Sequence, residues 1–310
     1  MRSVPPKGLL INRLTIAVFI PLPLSSTFFI ENDSEMIEYY PVLTIAGSDC
    51  SGGAGIQADL KTIQAEGCYG MSAITALTAQ NTRGVYGVEA VSPGFVVAQI
   101  EACVSDIVPL AVKTGMLFNA AIVDVVADAI GRLELQPVVV DPVMVSTSGC
   151  RLLDDDAVEA VMKRLLPLAT VVTPNVHEAI VMTGKTDPRE QARVLRDRGA
   201  RNVLLKGGDA DNSYGLKIDY LLTEDDNELI ELKADAVDTV NTHGTGCSLS
   251  AAIAARLALG DDSVTAVSRA KLYVTRALQA GARVHVGGGH GPMNHSFDPK
   301  RMKTRKTPWK

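Results

Sequence analysis

The chain has 310 residues, 46% of them hydrophobic and 21% charged, which is enough for one large α/β domain or two small ones with a packed core. Its net charge of −5 and pI near 5.6 exclude a basic field that would draw nucleic acid, so a phosphate-bearing ligand has to be held by local groups. Five cysteines without a Cys-x-x-Cys pair, and five histidines without metal spacing, argue against a disulfide framework or a structural zinc site and fit a reducing compartment such as the cytoplasm.

The first forty residues differ from the rest. Arg2, Lys7 and Arg13 precede an apolar stretch over 14–24 that Pro21 and Pro23 interrupt, and no acid precedes Glu31. Two readings stand: a signal-like or transit-like segment, or an appendage upstream of a start at Met36. The stretch is too short and too broken by proline to span a membrane. Residues 1–39 are expected to lie outside the fold, 40–298 to form one domain, and the basic stretch 299–310 to be a loose tail.

From residue 40 onward, short apolar runs alternate with helical patterns. Residues 42–46 form an apolar run closed by Gly47, as a buried parallel strand does. Ile56, Leu60 and Ile63 then share one helical face, ending near Gly67. Gln80 ends a further apolar strand. Residues 122–133 and 158–165 repeat with helical period, and 137–141, 170–173 and 203–206 read as strands. The runs 216–222 and 229–234 flank an acidic turn and predict an edge hairpin. Two helices follow, over about 244–259 and 263–282. This alternation predicts an α/β fold, a mainly parallel central sheet with helices on both faces.

Four segments carry chemistry. The first is Asp238-Thr239-Val240-Asn241-Thr242-His243-Gly244-Thr245-Gly246-Cys247, followed by a helix of small residues. Glycines at a helix start let backbone N–H groups converge on an anion, and the helix dipole adds positive charge there. A thiol at that place can be depressed in pKa and serve as a base, or it can be a small buried residue. The second is the glycine-rich turn Gly47-Ser48-Asp49-Cys50-Ser51-Gly52-Gly53-Ala54-Gly55, which leads into the helix that holds Asp59. It carries neither Gly-x-Gly-x-x-Gly nor a Gly-Lys-Ser/Thr ending.

The third is Gln80, an amide able to present donor and acceptor together, as the edge of an aminopyrimidine requires. The fourth is Asn175-Val176-His177-Glu178, where Asn175 and Glu178 share a face of a first helical turn. Oxygen ligands there suit Mg²⁺, and the same pair suits a helix N-cap; the two readings are compatible. Lys206-Gly207-Gly208 closes a strand at the edge where a nucleotide would lie.

Taken together these segments resemble the ribokinase-like superfamily, and among its members the hydroxymethylpyrimidine kinases and their pyridoxal kinase relatives. The resemblance runs from about Val42 to Asn294, with the blocks Lys113-Thr114-Gly115-Met116 and Asp141-Pro142-Val143-Met144 included. It implies a three-layer α/β/α fold and ATP-dependent phosphorylation of an aminopyrimidine alcohol and its monophosphate, with ATP and Mg²⁺ as cofactors. It places Gly244, Thr245, Gly246 and Cys247 at the transferred phosphoryl group, with Cys247 as base where the sugar kinases carry aspartate. Gly47, Asp59, Gln80, Met116 and Val143 line the substrate pocket, with Asp59 near the acceptor. Lys206, Asn175 and Thr242 face ATP, and Glu178 and Asp141 the metal. Cys50 stands where Ser or Pro is usual, and residues 289–295 match a family block without a role to assign. The rivals are a pyridoxal kinase and a non-catalytic pyrimidine-binding protein. The partner is a small molecule, with no nucleic acid and no membrane; the oligomeric state stays open, a homodimer included.

Overall fold

The computed structural model describes residues 35–144, 155–207 and 215–308. In chain order these form β1 (Glu35–Tyr39), β2 (Pro41–Asp49), α1 (Gly55–Ala65), β3 (Tyr69–Asn81), β4 (Gly84–Ala90), α2 (Pro93–Val104), β5 (Ala111–Thr114) and α3 (Ala120–Arg132). There follow β6 (Val138–Val140), α4 (Asp155–Ala160) running into a π turn (Val161–Leu165), β7 (Val171–Val172), α5 (Val176–Thr183), α6 (Pro188–Asp197) and β8 (Asn202–Leu205). Then come β9 (Leu216–Leu222), β10 (Ile230–Asp235), α7 (Thr245–Ala258), α8 (Ser263–Gly281) and β11 (Thr304–Pro308).

Nine strands make the main sheet in the order β10-β9-β8-β7-β6-β5-β2-β3-β4. The pairs from β8 across to β3 are parallel, and the antiparallel hairpins β9–β10 and β3–β4 close its two edges. The apolar runs are continuous because both faces are covered. Leu43, Ile45, Val138 and Val140 point into the layer with Ile100, Ile122 and Leu195, contributed by α2, α3 and α6. Val42, Val139 and Val171 point the other way, into the layer of α7 and α8. This is the three-layer α/β/α architecture expected.

The termini depart from the expectation. Glu35–Tyr39 and Thr304–Pro308 are an antiparallel ribbon, so the fold begins before residue 40 and the basic stretch is not a loose tail. Contacts within the ribbon and from it to the main sheet explain why. Arg305 meets Glu38 across the ribbon at 3.0 Å, and Tyr39 stacks on Tyr69 at the start of β3 with ring centroids 6.2 Å apart. Backbone bonds from Lys300 to Ala65 and from Lys303 to Gly67 tie the returning chain to the end of α1. Among the described residues, no helix is long and apolar enough to cross a membrane.

Candidate active site

Ligands of open parallel sheets bind at the carboxyl edge, where neighbouring strands send their connections opposite ways. Here that point lies between β2, which leads to β3, and β5, which leads to β6. Gly47 at the end of β2 donates its N–H to the carbonyl of Met116 beyond β5, 3.1 Å away. A methyl at Gly47 would come within 3.1 Å of the Met116 sulfur, so the two form one wall. Thr114, Gly115, Asp141 and Val143 line a small cavity beside it.

The N-terminus of α7 closes over this edge. Its N-cap, Gly244, has φ +81°, and among the described residues no side chain caps the helix. A Cβ there would lie 1.9 Å from the Gly53 carbonyl oxygen, while a Cβ at Gly53 would lie 2.3 Å from the His243 ring. The two glycine-rich loops therefore interlock, and only glycine permits it. The segment 289–295 gains a structural role: Gly291 accepts the His243 N–H at 3.1 Å, and His295 Nε2 lies 3.0 Å from the Ser248 hydroxyl. Burial holds His295 down to about 4, so it buttresses the first turn of α7 as a neutral ring.

Asp49 organises the other loop. Its Oδ1 accepts from the Ser51 N–H and hydroxyl, and its Oδ2 from the N–H groups of Gly53 (3.1 Å) and Ala54 (2.8 Å). His243 Nε2 lies 2.8 Å from that same Oδ2 and 3.2 Å from the Gln80 side chain. Burial alone would raise the Asp49 carboxyl; the bonds from His243, Ser51 and Ala54 outweigh it and hold it well below the usual carboxylate range. Cys50 brackets Gln80 from outside, its sulfur 3.3 Å from the Gln80 nitrogen and 3.1 Å from its carbonyl oxygen.

On the far side of α7 stand Lys206, Asp141 and Glu178. Lys206 Nζ is 2.9 Å from Asp141 and 3.8 Å from Glu178. The two carboxylates raise its pKa against the opposing effect of burial. A methyl at Gly246 would lie 3.3 Å from Lys206 Nζ, which sets the ammonium beside the first turn of α7. Asn175 and Glu178 form a reciprocal capping box at 2.9 and 2.8 Å. That box fixes Glu178 and leaves it buried, where desolvation raises its pKa.

Asp59 is fully buried and ion-paired, accepting from Lys113 Nζ at 2.8 Å and from the Thr44 hydroxyl at 2.6 Å, and its charge is felt at Cys247. One expectation needs correction. Cys247 does not have a depressed pKa. Burial pushes its thiol up to about 11, although Lys113 and a bond from the Gly55 backbone pull the other way. A helix terminus supplies only a fraction of a unit charge, which does not offset removal of a thiolate from water.

The structure thus gathers Gly47 with Met116; Val143 with Asp141 in the adjoining cavity; Gln80 with His243; and Lys206 with Asp141, Glu178, Asn175 and Gly246. Thr242 is exposed, and its carbonyl takes the Thr245 N–H and hydroxyl at 3.2 and 2.7 Å. The sequence reading gave no role to Asp49, His243 or Lys113. Asp49 and His243 are 194 residues apart, and only the residue types beside each glycine loop hinted at them.

A family model described as phosphomethylpyrimidine kinase matches residues 49–294. The hydroxymethylpyrimidine/phosphomethylpyrimidine kinase of Rhizobium meliloti is 49% identical over 259 residues, 82% of this chain and 96% of that protein. Among solved structures, the ADP complex of Bacillus subtilis pyridoxal kinase superposes with a TM-score of 0.75 at 35% identity, covering 84% of this chain and 98% of that one. The phosphomethylpyrimidine kinase of Clostridium difficile superposes with a TM-score of 0.67 at 42% identity, covering 77% and 99%. Identity of this extent, spanning both glycine loops and the strands that carry them, makes the chain a member of the phosphomethylpyrimidine kinase family.

Proposed function

We propose that the chain transfers the γ-phosphoryl group of ATP to the hydroxymethyl oxygen of 4-amino-5-hydroxymethyl-2-methylpyrimidine. A second transfer, to the monophosphate, gives the diphosphate used in thiamine biosynthesis. The observation that carries this reading is the uncapped N-terminus of α7, set between a lysine–carboxylate cluster and the Gln80 amide. Backbone N–H groups at Gly244, Gly246 and Cys247 stabilise charge on the transferred group, Thr245 shapes that turn through its bonds to the Thr242 carbonyl, and Lys206 adds a cation beside Gly246. In the first transfer Cys247 takes the hydroxyl proton in the fraction of molecules where it is a thiolate, a fraction that burial keeps small at neutral pH. The second needs no base, because a phosphate oxygen is already ionised.

Asp141 and Glu178 offer only oxygen donors, the chemistry that Mg²⁺ accepts. Among the described residues no three ligating side chains converge. The two carboxylates would therefore hold the ion through water and phosphate oxygens, and it would neutralise phosphate charge. Gln80 reads the ring, with Gly47, Met116 and Val143 as the apolar wall.

A second reading is pyridoxal kinase activity, favoured by the superposition on that enzyme. Purified protein with Mg-ATP and each alcohol in turn, followed by mass spectrometry, separates the two. Mono- and diphosphate of the pyrimidine are expected. Product from pyridoxal alone, or binding without turnover, overturns the reading. We further take the reaction to be cytoplasmic and without a nucleic-acid partner. We take the chain to be a homodimer through edge strand β4, beside which Leu77, Tyr86 and Phe95 are exposed. Sedimentation at monomer mass would exclude the dimer.

A further inference from the structure

The end of the Gln80 amide assigned as nitrogen lies 3.2 Å from His243 Nε2, and the end assigned as oxygen 3.3 Å from the Thr78 hydroxyl. Nitrogen and oxygen of an amide are distinguished by their neighbours. Both neighbours here demand the opposite assignment. His243 Nε2 lies 2.8 Å from Asp49 Oδ2, an oxygen that already accepts from the Gly53 and Ala54 amides. An ionised carboxylate has no proton to give, so Nε2 carries the proton, directs it at Asp49, and has no lone pair left to accept from an amide N–H; only the Gln80 oxygen suits that side. The Thr78 hydroxyl has one proton, and it goes to the Ser48 carbonyl at 2.8 Å. Thr78 can then only accept from Gln80.

We infer that Asp49, acting through His243, and Thr78 lock the Gln80 amide with its oxygen toward His243 and its nitrogen toward Thr78, and that this order selects an aminopyrimidine. The inference rests on the reading of Gln80 as the residue that meets the ring. Once locked, the amide keeps one N–H and one lone pair for a ligand. An aminopyrimidine edge, a ring nitrogen beside an amino group, uses both. A pyridine with a hydroxyl and no amino group meets half of the pattern. Asp49, His243 and Thr78 are positioning residues, since they act through Gln80.

Two substitutions test this. Asp49→Asn replaces the carboxylate that fixes the Nε2 proton with a weaker amide-oxygen acceptor, because the Gly53 and Ala54 N–H groups still require an oxygen there, and so loosens the imidazole and the Gln80 amide it orients. The KM for the pyrimidine alcohol should rise about tenfold or more, by a clearly larger factor than the KM for ATP. Because Asp49 also holds the loop amides, Thr78→Val and Thr78→Ser supply an independent pair. Valine should raise the pyrimidine KM severalfold with kcat kept, and serine should restore it. An unchanged KM in both Asp49→Asn and Thr78→Val overturns the inference. So does a loss shared equally by the pyrimidine, pyridoxal and ATP.

The orientation can also be read without substrate. In ¹⁵N-labelled protein the Gln80 side-chain NH₂ should show one exchange-protected proton that persists in Thr78→Ser and disappears in Thr78→Val. Its persistence in Thr78→Val sinks the locked orientation. Absence of pyrimidine binding by the wild-type protein in calorimetry would instead sink the functional reading.

Discussion

At Cys247 burial and the α7 terminus pull in opposite directions, and burial wins: the thiol is pushed up to about 11. The sign of the consequence follows. A base present as thiolate only above its pKa makes kcat/KM rise with pH, about tenfold per unit, until it levels near that value. The wild-type kcat/KM for the pyrimidine alcohol should therefore climb from about pH 7 to 10. Cys247→Ala should flatten the profile and slow the first transfer by about 10²–10⁴. The monophosphate step should change little in either test. Single-turnover rates across pH decide it, and a wild-type first step in Cys247→Ala would reduce the thiol to packing. Gln80→Leu should act on the other substrate alone. Losing its hydrogen bonds should weaken pyrimidine binding by about 1–3 kcal/mol and leave ATP binding intact, as calorimetry would show.

The interlocked loops belong to the scale of elements, because neither loop has its shape alone. Gly184 ends α5 at φ +68°, and among the described residues nothing lies within 4 Å of where its Cβ would stand, whereas Gly244 at φ +81° meets the Gly53 carbonyl. Gly184→Ala should cost only the left-handed penalty, about 1–2 kcal/mol, and leave activity unchanged. Gly244→Ala should cost more than that and abolish turnover, because α7 must retreat from the loop that Asp49 holds. Thermal melts and kcat on the pair provide the comparison. Equal losses of stability with activity kept in both would show that the loops do not depend on each other. The capping box of α5 shows a similar economy, since one Asn–Glu pair starts the helix and seats Glu178 beside Lys206.

For the whole molecule, the ribbon of β1 and β11 lies at the amino edge of the sheet, opposite the loops that carry the site. Removal of residues 1–34 should leave melting temperature and kcat as they are. Removal of 1–39 should lower the melting temperature by a few degrees, since a few cross-strand pairs contribute roughly 0.2–1 kcal/mol each. It should leave kcat within about twofold. A large loss of turnover on removing 1–34 would mean that the extension supports the pocket. Scanning calorimetry and steady-state assays on both truncations provide the measurement.

By itself the sequence marked much of the alternation of strands and helices, because apolar runs and helical periods are local patterns that a two-sided sheet imposes, though it did not mark β4, α2, β5 or α6. It also marked both glycine loops, the Asn175–Glu178 turn and Lys206, since each is a run of neighbouring residues with a local physical purpose. It did not show that residues 35–39 pair with 304–308, because antiparallel pairing of short distant strands leaves no periodic trace. Only the tertiary structure decided three further things. Asp59 is buried against Lys113. Cys247 is desolvated and so holds its proton. Asp49 reaches Gln80 through His243 across 194 residues of chain. Burial, charge balance and hydrogen-bond direction are properties of neighbours in space, and for these side chains the neighbours come from other strands and loops.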